Sequence, residues 1–435
     1  MTLSETNQKR VKDLLFILWA GGAALLSYAL VYALRKPFTA ATFDGMQFMG
    51  MDYKTATSII QIAGYALAKL LGIKFISELK RKDRLVFIIG SVVLAEAALV
   101  GFAMLPKPLN IFALFFNGLA LGCMWGVIFS FLEGRRQSGI LASIMGLSIA
   151  FSSGLAKSIG LFLIDDLHVD QFWMPAIIGA AAMTLLILLG ISLNRLPDPS
   201  PEDEIDCTKR VPMDNTSCRD TFVKFAPILT MLFVANLFIT IAQDIKEDFL
   251  VKLVDTSQLS SWAFSQIDGI VTLIILVSFT LISLIKSHKK VLMILLACIS
   301  CGLLGLAFVA NFYAELNLAP ITWLFAQSLG LYFCYLGFQT IFFERFVSCF
   351  NIKGNVGFFI ITIDFIGYLG TVVVLILKES FIKDINWIGF YNSMITTMCT
   401  TSAILLIICS AMLLRKKNSA KSSIQSGSIV ASTQQ

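Results

Sequence analysis

Twelve stretches of about twenty mostly apolar residues, separated by short charged or Pro- and Gly-bearing connections, leave this chain a single solvent, the lipid bilayer. Of its 435 residues 57% are hydrophobic and 14% charged, against roughly a quarter charged in a soluble domain, and the mean hydropathy is +0.80. Hydrocarbon cannot satisfy open backbone groups, so the runs must be helices and the chain an all-α membrane protein. Hydropathy and punctuation place them at 13–37, 55–77, 85–105, 109–132, 138–164, 172–194, 225–245, 264–285, 290–312, 318–343, 355–377 and 388–414. The first run is too long for a signal-peptide core and lacks a small-residue cleavage site, so it is read as a retained span.

The loop charges orient the helices. Counting alternate loops from the N-terminus, one side holds 23 of the 34 Lys and Arg, the other eight, and Lys69, Lys74 and Lys157 fall inside spans. Positive charge marks the cytoplasmic side, so both termini are expected in the cytoplasm of a bacterial inner-membrane protein. Scattered cations do not make a nucleic-acid face despite the net charge of +6. The nine cysteines are dispersed along the chain, most of them in apolar segments, and read as small buried residues; only two histidines exist, His168 and His288, both in loops, so neither a metal site nor a cofactor is expected. No phosphate-binding loop and no catalytic constellation is present, which argues against an enzyme and leaves a coupled gradient or exchange as the energy source.

The longest interior polar stretch, PDPSPEDEIDCTKRVPMDNTSCR at 197–219, divides the chain into residues 1–196 and 225–417, joined by a cytoplasmic linker at 197–224; the Ser-rich residues 418–435 read as a disordered tail. The halves look related. At an offset of 211, Gly126, Glu133 and Gly146 fall on Gly337, Glu344 and Gly357, Arg35 on Lys246 and Phe38 on Phe249; at an offset of 205, QIAG at 61–64 falls on QIDG at 266–269. Such matches indicate a parallel repeat of two six-helix bundles, with a site at their interface.

An ionisable group at membrane depth costs on the order of 2.5 kcal/mol or more, so each one is a candidate for function. They are Arg35 and Lys36 at the end of span 1, Lys69 in span 2, Glu96 in span 3, Lys157 in span 5, Asp268 in span 8 and Asp364 in span 11. Arg35 either binds substrate or snorkels to the headgroups. Lys69, roughly 21 Å into its span, lines the site or pairs with Asp364 or Glu96. Asp268 and Asp364, and with them Glu96, are coupling or gating carboxylates or partners for the lysines. Two cations facing one cavity suit an anion, Arg35 as a planar fork and Lys69 as a point charge, with Lys246 or Lys157 as helpers. Tyr332, Tyr335, Gln327 and Gln339 offer an opposite wall. Gly118, Gly122 and Gly126 form a ladder that lets span 4 approach a neighbour closely.

Four strings resemble one known family. YALRKPF at 32–38, GYALAKLLG at 64–72, SSWAFSQID at 260–268 and FIGYLG at 365–370 are similar to segments of spans 1, 2, 8 and 11 in the organophosphate:phosphate antiporter branch of the major facilitator superfamily. The resemblance implies that fold and carries the branch's phosphate-binding arginine and lysine onto Arg35 and Lys69. It does not carry the second clamp arginine, since LFITIAQD at 237–244 has Ile239 and Thr240 there. The span-5 histidine is missing too, with Lys157 some eight residues beyond its place, and KRKDR at 80–84 departs from the superfamily's loop pattern. The expectation is a monomeric secondary transporter of a small anionic organic solute, a phosphorylated sugar, organophosphate or carboxylate, using exchange or proton coupling with protons or phosphate as coupled species. A transporter of a neutral sugar-like solute and a non-transporting membrane sensor are the alternatives.

Overall fold

The computed structural model describes residues 3–135, 137–198, 215–254, 259–285, 287–350, 356–381 and 386–432, so most of the segment read as a linker lies outside the described residues. Twelve long helices run α1 Leu3–Arg35, α2 Tyr53–Glu78, α3 Arg81–Met104, α4 Ile111–Ser130, α5 Ser138–Leu161, α6 Met174–Asn194, α7 Asn215–Leu253, α8 Ala263–Ser283, α9 His288–Asn311, α10 Pro320–Cys349, α11 Val356–Phe381 and α12 Trp387–Ser432. Ten of them are long and apolar enough along their described residues to cross a bilayer. The other two, α2 and α11, are 26 residues each and long enough, but they carry polar faces: Lys54, Thr55, Ser58, Gln61 and Lys69 on one, Asp364, Thr371 and Lys378 on the other. Helix α12 continues to Ser432, through the Ser-rich stretch that composition alone reads as disordered.

The two halves repeat one packing plan. In the first, α2 packs on α4, α3 on α4 and α6, and α1 on α5 and α6; in the second, α8 packs on α10, α9 on α10 and α12, and α7 on α11 and α12. Adding six to each helix number converts one set into the other, which is the two-bundle pseudo-symmetry expected of the sequence repeat. The halves meet chiefly along two seams, α2 against α11 and α5 against α8.

Glycines set the closest approaches. A Cβ on Gly64 of α2 would strike the carbonyl of Phe115, and one on Gly118 of α4 the carbonyl of Gln61, so α2 and α4 touch backbone to backbone. The ladder of α4 therefore faces α2. Its helix is interrupted at Gly122 and Cys123 and resumes at Met124. In the second half, α10 widens into a π-helical stretch at Gly337–Phe342 before its last turn, Phe343–Cys349. Cys298 and Cys301, expected to be small buried residues, are instead free and exposed on α9.

One face of the bundle carries the N-terminus; the opposite face, where α1 ends and α2 begins, is here called the far face. There α1 stops at Arg35 because Pro37 opens a buried 3-10 turn, Pro37–Ala40, which lies over the helix end and packs on α5 and α7. A two-residue hairpin follows, Gln47–Phe48 against Met51–Asp52, turning at Met49 and Gly50, both with positive φ as a type I′ turn requires. It delivers Asp52 as the N-cap of α2, accepting from the Thr55 backbone N–H at 3.1 Å. Overpacking predicts the cost of disturbing the α2–α4 contact. Gly118→Leu should lower unfolding stability in detergent by about 1–3 kcal/mol or more, whereas Gly305→Leu, with open space around it, should leave the melting temperature unchanged; equal effects would refute the packing assignment.

Candidate functional site

Charged side chains gather between the halves, from mid-depth to the far face. At mid-depth Lys69 of α2 makes an ion pair with Asp364 of α11, and the amide of Gln339, in the π-helical stretch of α10, donates to the other Asp364 oxygen. The pair bridges the α2–α11 seam. Lys69 lies at the seam and is paired with Asp364. Glu96 is not its partner. That residue sits between α3 and α6 against Gly179, outside the seams.

Above the pair is a tyrosine cage around Arg35. The guanidinium carbon lies 3.7 Å from the ring centre of Tyr65 and 5.5 Å from that of Tyr368. These two rings, one from each half, stand edge to face at 5.2 Å, and the Tyr28 hydroxyl is 3.4 Å from that of Tyr65. Tyr32 and Tyr335 are buried beside them. Gln61 fixes the end of α1, donating to the Arg35 carbonyl at 2.7 Å and to Asn117 at 2.9 Å.

Arg35 does not snorkel. It is 2% exposed, packed against the rings of Tyr65 and Tyr368, and among the described residues no side chain or carbonyl accepts from its guanidinium. Nε and Nη2 are both buried without a partner. Burial of a charged donor without an acceptor costs several kcal/mol, and the cation–π contact with Tyr65 is what the structure sets against it.

The next layer toward the far face is paired. Lys36 forms an ion pair with Asp248 and lies 3.8 Å from Glu247, both on α7. Glu247 also accepts from Tyr332 at 3.1 Å and from Gln243 at 2.7 Å, and the Tyr332 hydroxyl reaches Asp268 at 3.5 Å. Lys246, the repeat counterpart of Arg35, donates to Ser328 at 3.0 Å and sits 4.1 Å over the Tyr332 ring. Lys157 donates to Ser153 one turn earlier on α5, and Lys54 to the carbonyls of Thr39 and Ala41. At the rim, Lys252 meets Asp52 at 2.8 Å and the Asp52 amide donates to Glu379. Gln327 points elsewhere, accepting from Tyr391 within the second half.

Three carboxylates, Asp244, Glu247 and Asp248, have no counterpart among the candidates taken from sequence. The signal was present: QDIKED at 243–248 places five polar residues in six within an apolar helix. Ending span 7 at 245 put half of that string, Lys246, Glu247 and Asp248, in a loop and left Asp244 at the span's edge, whereas α7 continues to Leu253. The cage tyrosines left no such mark, being indistinguishable from packing residues until α2 and α11 are docked. A cavity of about 300 Å³ between Phe75, Leu79, Lys80, Lys82 and Asp83 lies at the α2–α3 connection, away from this core.

Two six-helix bundles related by a parallel repeat, with ionisable groups and aromatics at the seam, define a polytopic membrane protein of the major facilitator fold. The chain belongs to a family of unknown function, DUF5690, whose model matches residues 37–417. Solved structures confirm the fold. The nucleoside transporter NupG superposes with a TM-score of 0.58 at 16% identity, covering 92% of this chain and 99% of that one. The peptide transporter POT gives 0.59 at 14%, covering 93% and 94%. An inward-open form of the xylose transporter XylE from E. coli gives 0.58 at 12%, covering 91% and 95%. No curated protein matches the chain.

The Lys69–Asp364 contact yields a test. Removing one member of a buried ion pair costs about 3–5 kcal/mol, and removing both costs much less. Lys69→Ala and Asp364→Ala should each lower the melting temperature of the detergent-solubilised protein sharply, and the double variant should recover most of the loss; additive losses would show that the two groups act independently.

Proposed function

We propose that this protein is a secondary active transporter that carries a small organic solute through its anionic group, a carboxylate or a phosphate, by alternating access between the two bundles. The observation that carries the reading is Arg35: a guanidinium buried where the halves meet, flanked by an aromatic ring from each, with two N–H groups unused. Guanidinium geometry matches a two-oxygen acceptor, and low local dielectric strengthens the contact. The rings of Tyr65 and Tyr368 hold the fork in place and cover the body of the solute.

The surrounding network supports alternating access. Lys69–Asp364, Lys36–Asp248 and Lys252–Asp52 each join one bundle to the other. Each must break for the far face to open, so in this state the far face is held shut. The excess of cations on the loops of the opposite face assigns that face, with both termini, to the cytoplasm of a bacterial inner membrane. Asp364, shared between Lys69 and Gln339, is the proposed coupling group, because a proton or a competing anion alters its hold on Lys69. Lys157, Lys246 and Asp268 stand one layer outward and gate the path, with Tyr332, Tyr335 and Gln339 forming the wall contributed by α10. Glu96, away from the seams, is assigned no role in transport.

Counterflow in proteoliposomes tests the reading against a neutral-sugar carrier. A panel of carboxylates, sugar phosphates and neutral sugars should show exchange with an anion-bearing member, and Arg35→Gln should weaken its apparent affinity by about 10–100-fold, the loss of a charged hydrogen-bonding contact. Exchange of neutral sugars alone, unaffected by Arg35→Gln, would overturn it.

A further inference from the structure

Beside Arg35 stands a second charge without a counter-ion, and it has the opposite sign. Asp244 of α7 is 7% exposed; among the described residues it accepts a hydrogen bond from the Thr371 hydroxyl at 3.0 Å, and no lysine or arginine forms an ion pair with it. Its neighbours on α7 do otherwise: Lys246 bonds to Ser328, Glu247 to Tyr332 and Gln243, and Asp248 to Lys36.

A closed circuit of contacts places Asp244 at the Arg35 cage. Arg35 is followed in the chain by Lys36, and Lys36 pairs with Asp248. Asp248 lies one helical turn from Asp244, about 6 Å along the axis. Asp244 accepts from Thr371. Thr371 lies one turn from Tyr368, and the Tyr368 ring is 5.5 Å from the Arg35 guanidinium carbon. The sequence secures the α11 side of the circuit. A Cβ on Gly367 would strike Thr240 and one on Gly370 would strike Leu237 and Ile241, so FIGYLG draws α11 against α7 and brings Thr371 to Asp244.

Arg35 and Asp244 thus lie near one another at the aromatic lining of the seam without forming an ion pair. A carboxylate at this burial with a single hydroxyl donor and no ion-pair partner is stabilised in its charged form by a cationic donor, and an ammonium supplies both the charge and three N–H donors. We infer that the site takes a zwitterionic solute, an amino-acid-like molecule whose carboxylate lies on Arg35 and whose ammonium lies between Asp244 and Thr371. This rests on the anion-binding reading of Arg35 and narrows its substrate class.

The test uses the full-length protein in nanodiscs and compares binding within two triplets: phenylalanine, phenylpropionate and phenethylamine, then alanine, propionate and ethylamine. Inorganic phosphate and a sugar phosphate serve as anion-only probes. The zwitterion of at least one triplet should bind about tenfold or more tightly than either partial analogue. Asp244→Asn should reduce its affinity to that of the deaminated acid while leaving the acid's own binding unchanged, and Arg35→Gln should weaken both. Thr371→Val, which removes only the hydroxyl, should weaken the zwitterion several-fold and spare the acid. If acids or phosphates bind as tightly as any zwitterion and respond to Arg35→Gln alone, the zwitterion assignment fails while anion binding at Arg35 stands. If no probe bearing an anionic group binds, both fail. The ligand comparison on unaltered protein decides the matter even where a variant does not fold.

Discussion

An ionised side chain placed between membrane-spanning helices must find a partner of opposite charge or a set of hydrogen bonds, because neither lipid nor apolar packing can replace its hydration. Much of the interior of this protein follows from that requirement. Lys69 is answered by Asp364, Lys36 by Asp248 and Glu247, Lys246 by a hydroxyl and a ring, and Lys54 by two carbonyls of the loop that follows α1. Since several of these partners come from the opposite half, charge pairing and bundle closure are one process. The polar faces of α2 and α11, which lower the hydropathy of those two helices, are the cost of building that seam.

The repeat explains the frame, and its departures explain the site. The same five pairings recur in each half, and the offset of 211 puts Arg35 and Lys246 at matching positions. Their surroundings differ. Lys246 is held by Ser328 and Tyr332 within its own bundle, whereas Arg35 lies over the Tyr65 ring and beside that of Tyr368 with N–H groups to spare. A duplicated scaffold has been made asymmetric at one pair of positions, and the asymmetry falls where a solute would be held.

Much of the architecture was legible before any coordinates. Apolar runs near the width of a bilayer can only be helices, so their number and order followed from hydropathy. Lys69 and Asp364 stood out because charge is rare at such depth, and their pairing was one of two readings. Edges were less secure. Hydropathy ended span 7 at 245, which left Glu247 and Asp248 in a loop and Asp244 at the span's edge, although a helix continues through charge readily when the opposite bundle supplies lysine. Arg35 looked like a residue at a helix end; its burial against Tyr65 and Tyr368 depends on α2 and α11 docking beside it, a tertiary event with no local signature. Glu96, a carboxylate at membrane depth, packs against Gly179 between α3 and α6, away from the seams. The tyrosine cage depends on α2 meeting α11 and was beyond reach of any single segment.

The account depends on a guanidinium waiting for acceptors. Nitrogen-15 NMR of arginine-labelled protein in lipid, with the Arg35 signals assigned by their loss in Arg35→Lys, observes that group directly. The account predicts that the Arg35 Nη resonances move toward hydrogen-bonded values when a bound solute bearing a carboxylate or phosphate is titrated in, and stay fixed with neutral sugars. Resonances that already sit at hydrogen-bonded positions in the free protein, or that ignore every anion, would contradict it.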